Sequence, residues 1–180
     1  MSFMEIPEEK KMDELLSLKG RVAIVTGGSR GIGLQIVHRF TEAGAAVVFT
    51  GRGAEALKKT EDELTASGME AAAFQADVSS VADSEKTVKF AVEKFGRLDI
   101  LVNNAASFSF CDAMSMTEET WDKCFDIDAK GTFFMSQAAA KEMISEGRGG
   151  RIINFLSTAA LNPTSLLIAY GSWPQTWANM

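Results

Sequence analysis

Five short apolar runs punctuate the chain, and between them apolar residues recur at helical spacing. Arg21-Val22-Ala23-Ile24-Val25 is β-branched and almost wholly apolar, the mark of a buried strand; Ile32 to Ala43 follows an amphipathic pattern and predicts a helix that stops at Gly44. Ala45 to Thr50 predicts a second strand, Ala54 to Ser67 a helix closed by Gly68, and Glu70 to Gln75 a weaker third strand. Asp77 and Ser79-Ser80 supply turn and N-cap chemistry for a helix running through Phe95, and Asp99 to Asn103 is the fourth strand. One long helical stretch from about Glu118 to Glu146 ends in the glycines around Gly147 and leads to a fifth strand, Arg151 to Ser157.

Strands that alternate with helices build βαβ units, and strands that are apolar on both faces suit a parallel sheet covered on both sides. The right-handed crossover rule then predicts an α/β, Rossmann-like, doubly wound parallel sheet in the order 3-2-1-4-5. One dinucleotide-binding domain over residues 21–180 accounts for the pattern, preceded by an N-terminal extension, 1–20, in which Glu8 to Leu18 predicts a short helix.

Composition narrows the partners. At 180 residues, with 46% hydrophobic and 23% charged residues, the chain is a globular domain of ordinary size and makeup. Its net charge of −6 argues against a nucleic-acid backbone as partner. No apolar run approaches the roughly 18 residues that a membrane span needs, and the first twenty residues are too acidic and interrupted for a signal peptide, so the expected compartment is the cytoplasm. Cys111, Cys124 and the single His38 form no metal-ligand spacing, and no metal is expected.

The candidate chemistry starts at Thr26 to Gly33, TGGSRGIG, between the first strand and the first long helix. Free N–H groups and the positive end of the helix dipole can hold a phosphate there, if glycines let the ligand reach the backbone. The spacing is G-x-x-x-G-x-G (Gly27, Gly31, Gly33), not the usual G-x-G-x-x-G, and alone it fits a tight structural turn equally well.

Three further features share the frame. Asp77-Val78 follows strand three, Asn103-Asn104-Ala105 ends strand four, and Ser157 lies thirteen residues before Tyr170, just beyond strand five. Together with TGGSRGIG they resemble the short-chain dehydrogenase/reductase family, whose motifs are TGxxxGxG, a DV pair, NNAG, and a Ser followed by Y-x-x-x-K. The resemblance covers roughly Leu18 to Tyr170. It implies that Gly27, Gly31 and Gly33 lie beneath a coenzyme pyrophosphate, with Ser29, Arg30 and Ile32 in the same loop. It also implies that Asp77 and Val78 lie beside the adenine, and that Asn103 and Ala105 support the central strand next to the cofactor. Ser157 would polarise the substrate oxygen, and Tyr170 would exchange a proton with it while hydride passes to or from nicotinamide.

Charge bears on which coenzyme. An acid at the end of strand two would bond a ribose 2′-OH and repel a 2′-phosphate. That region reads Thr50-Gly51-Arg52-Gly53, with no acid, and Arg30 adds a second cation. Arginine forks match phosphate oxygens, so NADP(H) is expected over NAD(H); the plainer alternative is two exposed surface charges.

The family pattern breaks in places. Pro174 stands four residues after Tyr170, where the family carries lysine, and no lysine or arginine follows Arg151. Alcohol oxidation, which needs a base, should suffer most, whereas ketone reduction uses the protonated phenol and can persist weakly. Pro174 is also expected to disfavour helical continuation. Ala106 replaces the last glycine of NNAG, a mild change if its φ is negative, and Asp128 replaces a helix asparagine, where a carboxylate would oppose phenolate formation.

Relative to the family the chain is expected to be truncated at its C-terminus and to lack the last strands, leaving strand five as an apolar edge. A homo-oligomer, a missing partner segment or a truncated product would each account for that edge. The resulting expectation is an NADP(H)-dependent oxidoreductase interconverting a small-molecule carbonyl and a secondary alcohol, catalytically incomplete as it stands. The rival is a truncated, non-catalytic nucleotide-binding or interaction protein. Ser107 to Met116, SFSFCDAMSM, indicates only a mixed apolar pocket rim.

Overall fold

The computed structural model describes residues 12–108, 110–160 and 166–177. After a short helix, α1 (Met12–Leu15), the chain alternates β1 (Val22–Val25), α2 (Gly31–Glu42), β2 (Ala46–Gly51), α3 (Ala54–Ala66), β3 (Ala71–Gln75), α4 (Val81–Phe95) and β4 (Ile100–Asn103). It continues through α5 (Glu118–Phe125), a wide π-type turn (Asp126–Gly131), α6 (Thr132–Ser145), β5 (Arg151–Asn154) and α7 (Ile168–Trp177). The five strands pair in parallel in the order β3-β2-β1-β4-β5, the doubly wound topology expected from the alternation of elements.

Strand periodicity sorts the core into two layers. Ala23 and Val25 of β1, with Val47 and Phe49 of β2, pack under Val37 of α2 and Leu57 and Leu64 of α3. Their alternates Ile24, Val48 and Leu101 pack under Val88 and Ala91 of α4 and Met135, Ala139 and Met143 of α6. Each fully buried Val, Leu or Phe contributes roughly 1.5–3 kcal/mol, so β1, β2 and β4 are the strands the fold cannot lose. The end of the N-terminal extension joins this core, where Leu18 packs on the α2/α3 layer and donates its N–H to the Ala43 carbonyl at 2.8 Å.

β5 differs. It pairs only with β4, and Ile152, Ile153, Phe155 and Leu156 are 38–47% exposed. The expected apolar edge is therefore present. The strand is shorter than the apolar run suggests: Phe155 N–H still bonds the Asn103 carbonyl at 3.0 Å, after which the chain turns through Thr158–Ala160.

Two helical expectations change. The stretch from Glu118 to Glu146 is not one helix, because the wide turn interrupts it, and α7 runs through Pro174 rather than stopping before it. Pro174 lies in the last turns of α7 and removes one donor, the N–H that would reach the Tyr170 carbonyl, which a short helix end tolerates. Of the predicted Glu8–Leu18 helix, Met12–Leu15 is helical and residues 8–11 lie outside the described residues.

One buried acid locks the amino ends of β1 and β4. Asp99 takes the Val22 N–H at 2.9 Å and the Arg21 guanidinium at 2.9 Å, and Arg97 closes the cluster. Burial raises the Asp99 carboxyl, but the bonds from Arg97, Val22 and Arg21 outweigh it and hold it below the usual carboxylate range. Its contribution is thus present above the unfolded carboxylate value and lost as pH falls through the lowered folded one. Asp99→Ala should lower the denaturant midpoint at pH 7 by the equivalent of roughly 2–3 kcal/mol, because the Val22 N–H is left buried without an acceptor; a midpoint that does not move refutes this role.

Candidate functional site

At the carboxyl ends of the strands a cleft of about 610 Å³ opens between the glycine turn after β1, the ends of β2 and β3, and the turn after β4. This is where open α/β sheets bind ligands. Gly27, Ser29, Arg30, Gly31, Ile32, Arg52, Asp77, Val78 and Ala105 all line it. The structure thereby brings together residues up to 78 positions apart that the sequence offered only as separate motifs.

Backbone geometry explains the glycines. Gly31 opens α2 with φ +57°, and a Cβ there would meet nothing within 4 Å, so bare main chain faces the cleft. At Gly33 a Cβ would press on the Gly27 carbonyl and stand 2.5 Å from Asn104 Nδ2, so α2 can come this close to β1 only without a side chain. Arg30, at the N-cap of the twelve-residue α2, provides no side-chain cap. The first N–H groups of α2 thus meet the cleft with the positive end of the helix dipole behind them, an arrangement that fits an anion such as a pyrophosphate.

Two residues outside the predicted set hold this geometry. Thr26 Oγ1 accepts the N–H groups of Asn104 and Ala105, each at 3.0 Å, and Asn104 Nδ2 donates to the Thr26 carbonyl at 2.9 Å. The turns after β1 and β4 are therefore one hydrogen-bonded unit. Thr26 stood inside the glycine motif and Asn104 inside the NNA motif, but their pairing across 78 residues has no signal in a single sequence. Asn103, by contrast, does not line the cleft: its buried amide donates to Ser136 Oγ at 2.9 Å and Asn154 Oδ1 at 2.8 Å, tying β4 to α6 and β5. Its position is thus fixed by β5 and α6, behind the cleft lining. Gly33 also lies beneath the lining.

Asp77 and Val78, after β3, open a hydrogen-bonded turn. Asp77 Oδ1 accepts from Ser79 N–H at 3.0 Å and Ser79 Oγ at 2.7 Å, and Ser80 caps α4 by accepting from Asp83 N–H at 3.3 Å. Burial raises the Asp77 carboxyl, but the Ser79 bonds and the charge of Arg52 outweigh it, leaving the carboxyl below its ordinary value. The exposed guanidinium groups of Arg30 and Arg52 make no hydrogen bond or ion pair within hydrogen-bond reach among the described residues. They stand free on the rim.

Ser157 and Tyr170 lie outside that lining, on the β5 side, where α7 packs against the Thr158–Ala160 turn. Ser157 Oγ accepts from Ala159 N–H at 3.1 Å, which leaves its hydroxyl proton without an acceptor among the described residues. Tyr170 is half-buried, its ring edge-on to Phe108 with centroids 5.1 Å apart. Ala106, in the cleft lining, has no positive φ, so alanine fits there without strain.

Asp128 lies outside the cleft lining. It is fully buried on the wide turn, where Oδ1 accepts the Ser107 N–H at 2.7 Å and Oδ2 takes the Cys124 thiol at 3.2 Å. The first of these bonds links the wide turn to the loop after β4. With no cation beside it, burial pushes the Asp128 carboxyl up to about 6 despite the Ser107 and Cys124 bonds. Burial and the Asp128 charge in turn push the Cys124 thiol up to about 12. Cys124 is structural, as its isolation in the sequence suggested. Among the described residues no group of His, Cys, Asp and Glu could hold a metal, and no helix is long and apolar enough to cross a membrane.

Comparison with known proteins matches this geometry. The family model described as short chain dehydrogenase matches residues 21–172. Sorbitol dehydrogenase of Cereibacter sphaeroides and galactitol 2-dehydrogenase of Agrobacterium fabrum are each 37% identical over 155 residues, 86% of this chain and 59% of theirs. Among solved structures, a 7α-hydroxysteroid dehydrogenase complexed with NADH and 7-oxo glycochenodeoxycholic acid superposes with a TM-score of 0.88 at 32% identity, over 95% of this chain and 66% of that one. A double mutant of a Serratia marcescens short-chain dehydrogenase/reductase gives 0.83 at 35%, over 90% and 66%. The chain thus spans about three fifths of the curated relatives it matches.

Asp128 sets a pH test. Its raised carboxyl makes the folded state bind its proton more tightly than the unfolded state, so the stability linked to it is complete below about 3.8 and is lost as pH rises through about 6. Asp128→Asn keeps an oxygen for the Ser107 N–H and removes the titration. Thermal melts from pH 4 to 7 should show the variant gaining on the parent as pH rises, by roughly 3 kcal/mol at most; a constant difference across that range would overturn the assignment.

Proposed function

Because the chain belongs to the short-chain dehydrogenase/reductase family, we propose that it is an oxidoreductase that interconverts a carbonyl and a secondary alcohol, with NADP(H) as its coenzyme. The observation that carries the reading is the cleft itself: a bare glycine backbone, an uncapped helix N-terminus and two free guanidinium groups meet in one space. Gly27 and Gly31 would lie against the pyrophosphate, Ser29 and Ile32 would flank it, and Asp77, Val78 and Ala105 would wall the adenosine half. When bound, the coenzyme supplies or accepts a hydride.

Arg30 and Arg52 would meet a 2′-phosphate. Arg52 already feels the Asp77 carboxylate, and a dianionic phosphate would compete for it on better terms. Ser157, whose hydroxyl proton has no acceptor among the described residues, would offer it to a substrate oxygen, and Tyr170 would be the proton donor. Reduction is the favoured direction, since Pro174 replaces the cation that would help the phenol act as a base. Relatives act on both sorts of substrate their names print, sugar alcohols and a steroid, so the family leaves the choice open.

A second reading has its own support. With proline at position 174 and Ser157 and Tyr170 outside the cleft lining, the chain would bind nucleotide without turning over substrate. Homo-oligomers and a cytoplasmic setting fit either reading.

Coenzyme choice is tested by fluorescence titration of NADPH and NADH. The parent should prefer NADPH by about tenfold or more, the size of one charge-assisted contact, and Arg52→Asp should erase or reverse the preference. Equal affinities in both proteins would sink the NADP(H) assignment. NADPH binding with no oxidation of NADPH in the presence of simple ketones would favour the second reading.

A further inference from the structure

Resting on the reading of Tyr170 as proton donor, we propose that the aromatic wall beside it makes this chain selective for a flat, apolar carbonyl compound, of the aryl-ketone class, over a polyhydroxylated one. Tyr170 meets Phe108 edge-on, and Phe108 meets Phe110 edge-on with centroids 4.7 Å apart, so three rings form one continuous surface. The surface is open: Phe108 is 55% and Phe110 69% exposed, and Met114 and Leu166 beside the same loop are exposed as well. Contiguous exposed aromatic area next to a reacting group marks a recognition surface, since protein surfaces otherwise scatter such residues singly.

The wall is anchored at both ends. Ser107 N–H is fixed by the buried Asp128, and Cys111 N–H bonds the Leu166 carbonyl at 2.9 Å, pairing the loop with the residues that open α7. Phe108 and Phe110 sit between these two ties. The faces of Phe108 and Phe110 themselves offer no hydrogen-bond donor or acceptor, the serines of the stretch standing at other positions. Asp112 is the one charged residue from Ala105 to Met116, and its carboxylate already accepts the Met114 N–H at 2.9 Å. A polyol on this face would give up water without finding paired donors and acceptors, whereas an aryl ring gains offset or edge-on ring contacts along with burial of its area.

Saturation-transfer NMR on the full chain, with NADPH present, can follow propiophenone and D-fructose in parallel with titrations of Phe108→Ala, Phe110→Ala and Phe108→Leu. Propiophenone should bind at least tenfold tighter than fructose, and each alanine variant should weaken it several-fold to tenfold, with Phe108→Leu in between. NADPH affinity, read separately by fluorescence, should stay unchanged in all three variants. Fructose binding as tightly as propiophenone, or propiophenone binding unaffected by both alanine variants, would overturn the proposal. So would absent ketone binding together with a shift from oligomer to monomer in Phe110→Asp, because a second copy would then cover the wall. Failure of the underlying functional reading shows differently, as loss of NADPH binding by the parent chain.

Discussion

One contact admits no side chain, and the functional end of the molecule is arranged around it. Where α2 leaves the glycine turn, Gly33 lies against the Gly27 carbonyl and the Asn104 amide, at a separation that any Cβ would violate. This closeness aims the start of α2 at the carboxyl ends of the strands instead of over the sheet face. It also brings the β1 and β4 turns near enough for Thr26 and Asn104 to exchange hydrogen bonds. The helix dipole and the bare N–H groups then point into the cleft as a consequence of packing. An anion site obtained this way needs no lysine.

The two halves of the site are built to different standards of rigidity. On the cleft side the lining comes from turns that follow β1, β2, β3 and β4, of which β1 and β4 are buried throughout and β2 in all but its last residue, and their backbone groups are bonded to one another. On the β5 side the strand is an exposed edge, and Ser157 and Tyr170 depend on α7, on a short turn and on a loop tied at Ser107 and Cys111. Binding can therefore be well formed where chemistry is only loosely supported. This contrast gives physical content to the competition between an active reductase and a nucleotide-binding protein, because the two readings differ only in what the weaker half can do.

Period and punctuation were enough to read the sheet. The apolar runs at Val22–Val25, Ala46–Gly51 and Ile100–Asn103 alternate with helical spacing, and crossover handedness leaves few other orders for the strands. The glycine loop was legible for the same local reason, a strand followed at once by a helix. Long-range pairing was not legible. Asn103 and Asn104 are neighbours of identical type, yet one amide is buried toward Ser136 and Asn154 and the other faces the glycine turn, a difference set by strand alternation and by partners far along the chain. The interruption of the Glu118–Glu146 helix was missed because its cause is tertiary. The two aspartates, the isoleucine and Gly131 lower helix propensity across Asp126–Gly131, but propensity alone does not say that the chain takes a wider turn there, which brings Asp128 to the Ser107 N–H of one loop and Gly131 to the Val78 carbonyl of another.

Those two loops belong to opposite halves of the site. A Cβ on Gly131 would stand 2.8 Å from the Val78 carbonyl, so that end of the turn fits closely under the adenine-side loop, while Asp128 at its middle holds Ser107 and hence the ring that Tyr170 leans on. A regular helix would carry residues 128 and 131 at spacings too tight to serve both neighbours; one extra residue per turn rotates them onto different partners. The wide turn thus joins the turn after β3, on the cleft, to the loop after β4 that carries Phe108. Asparagine could accept the same Ser107 bond without charge. Aspartate instead places a titrating group, with no cation bonded to it among the described residues, at the tie between the wide turn and the loop after β4.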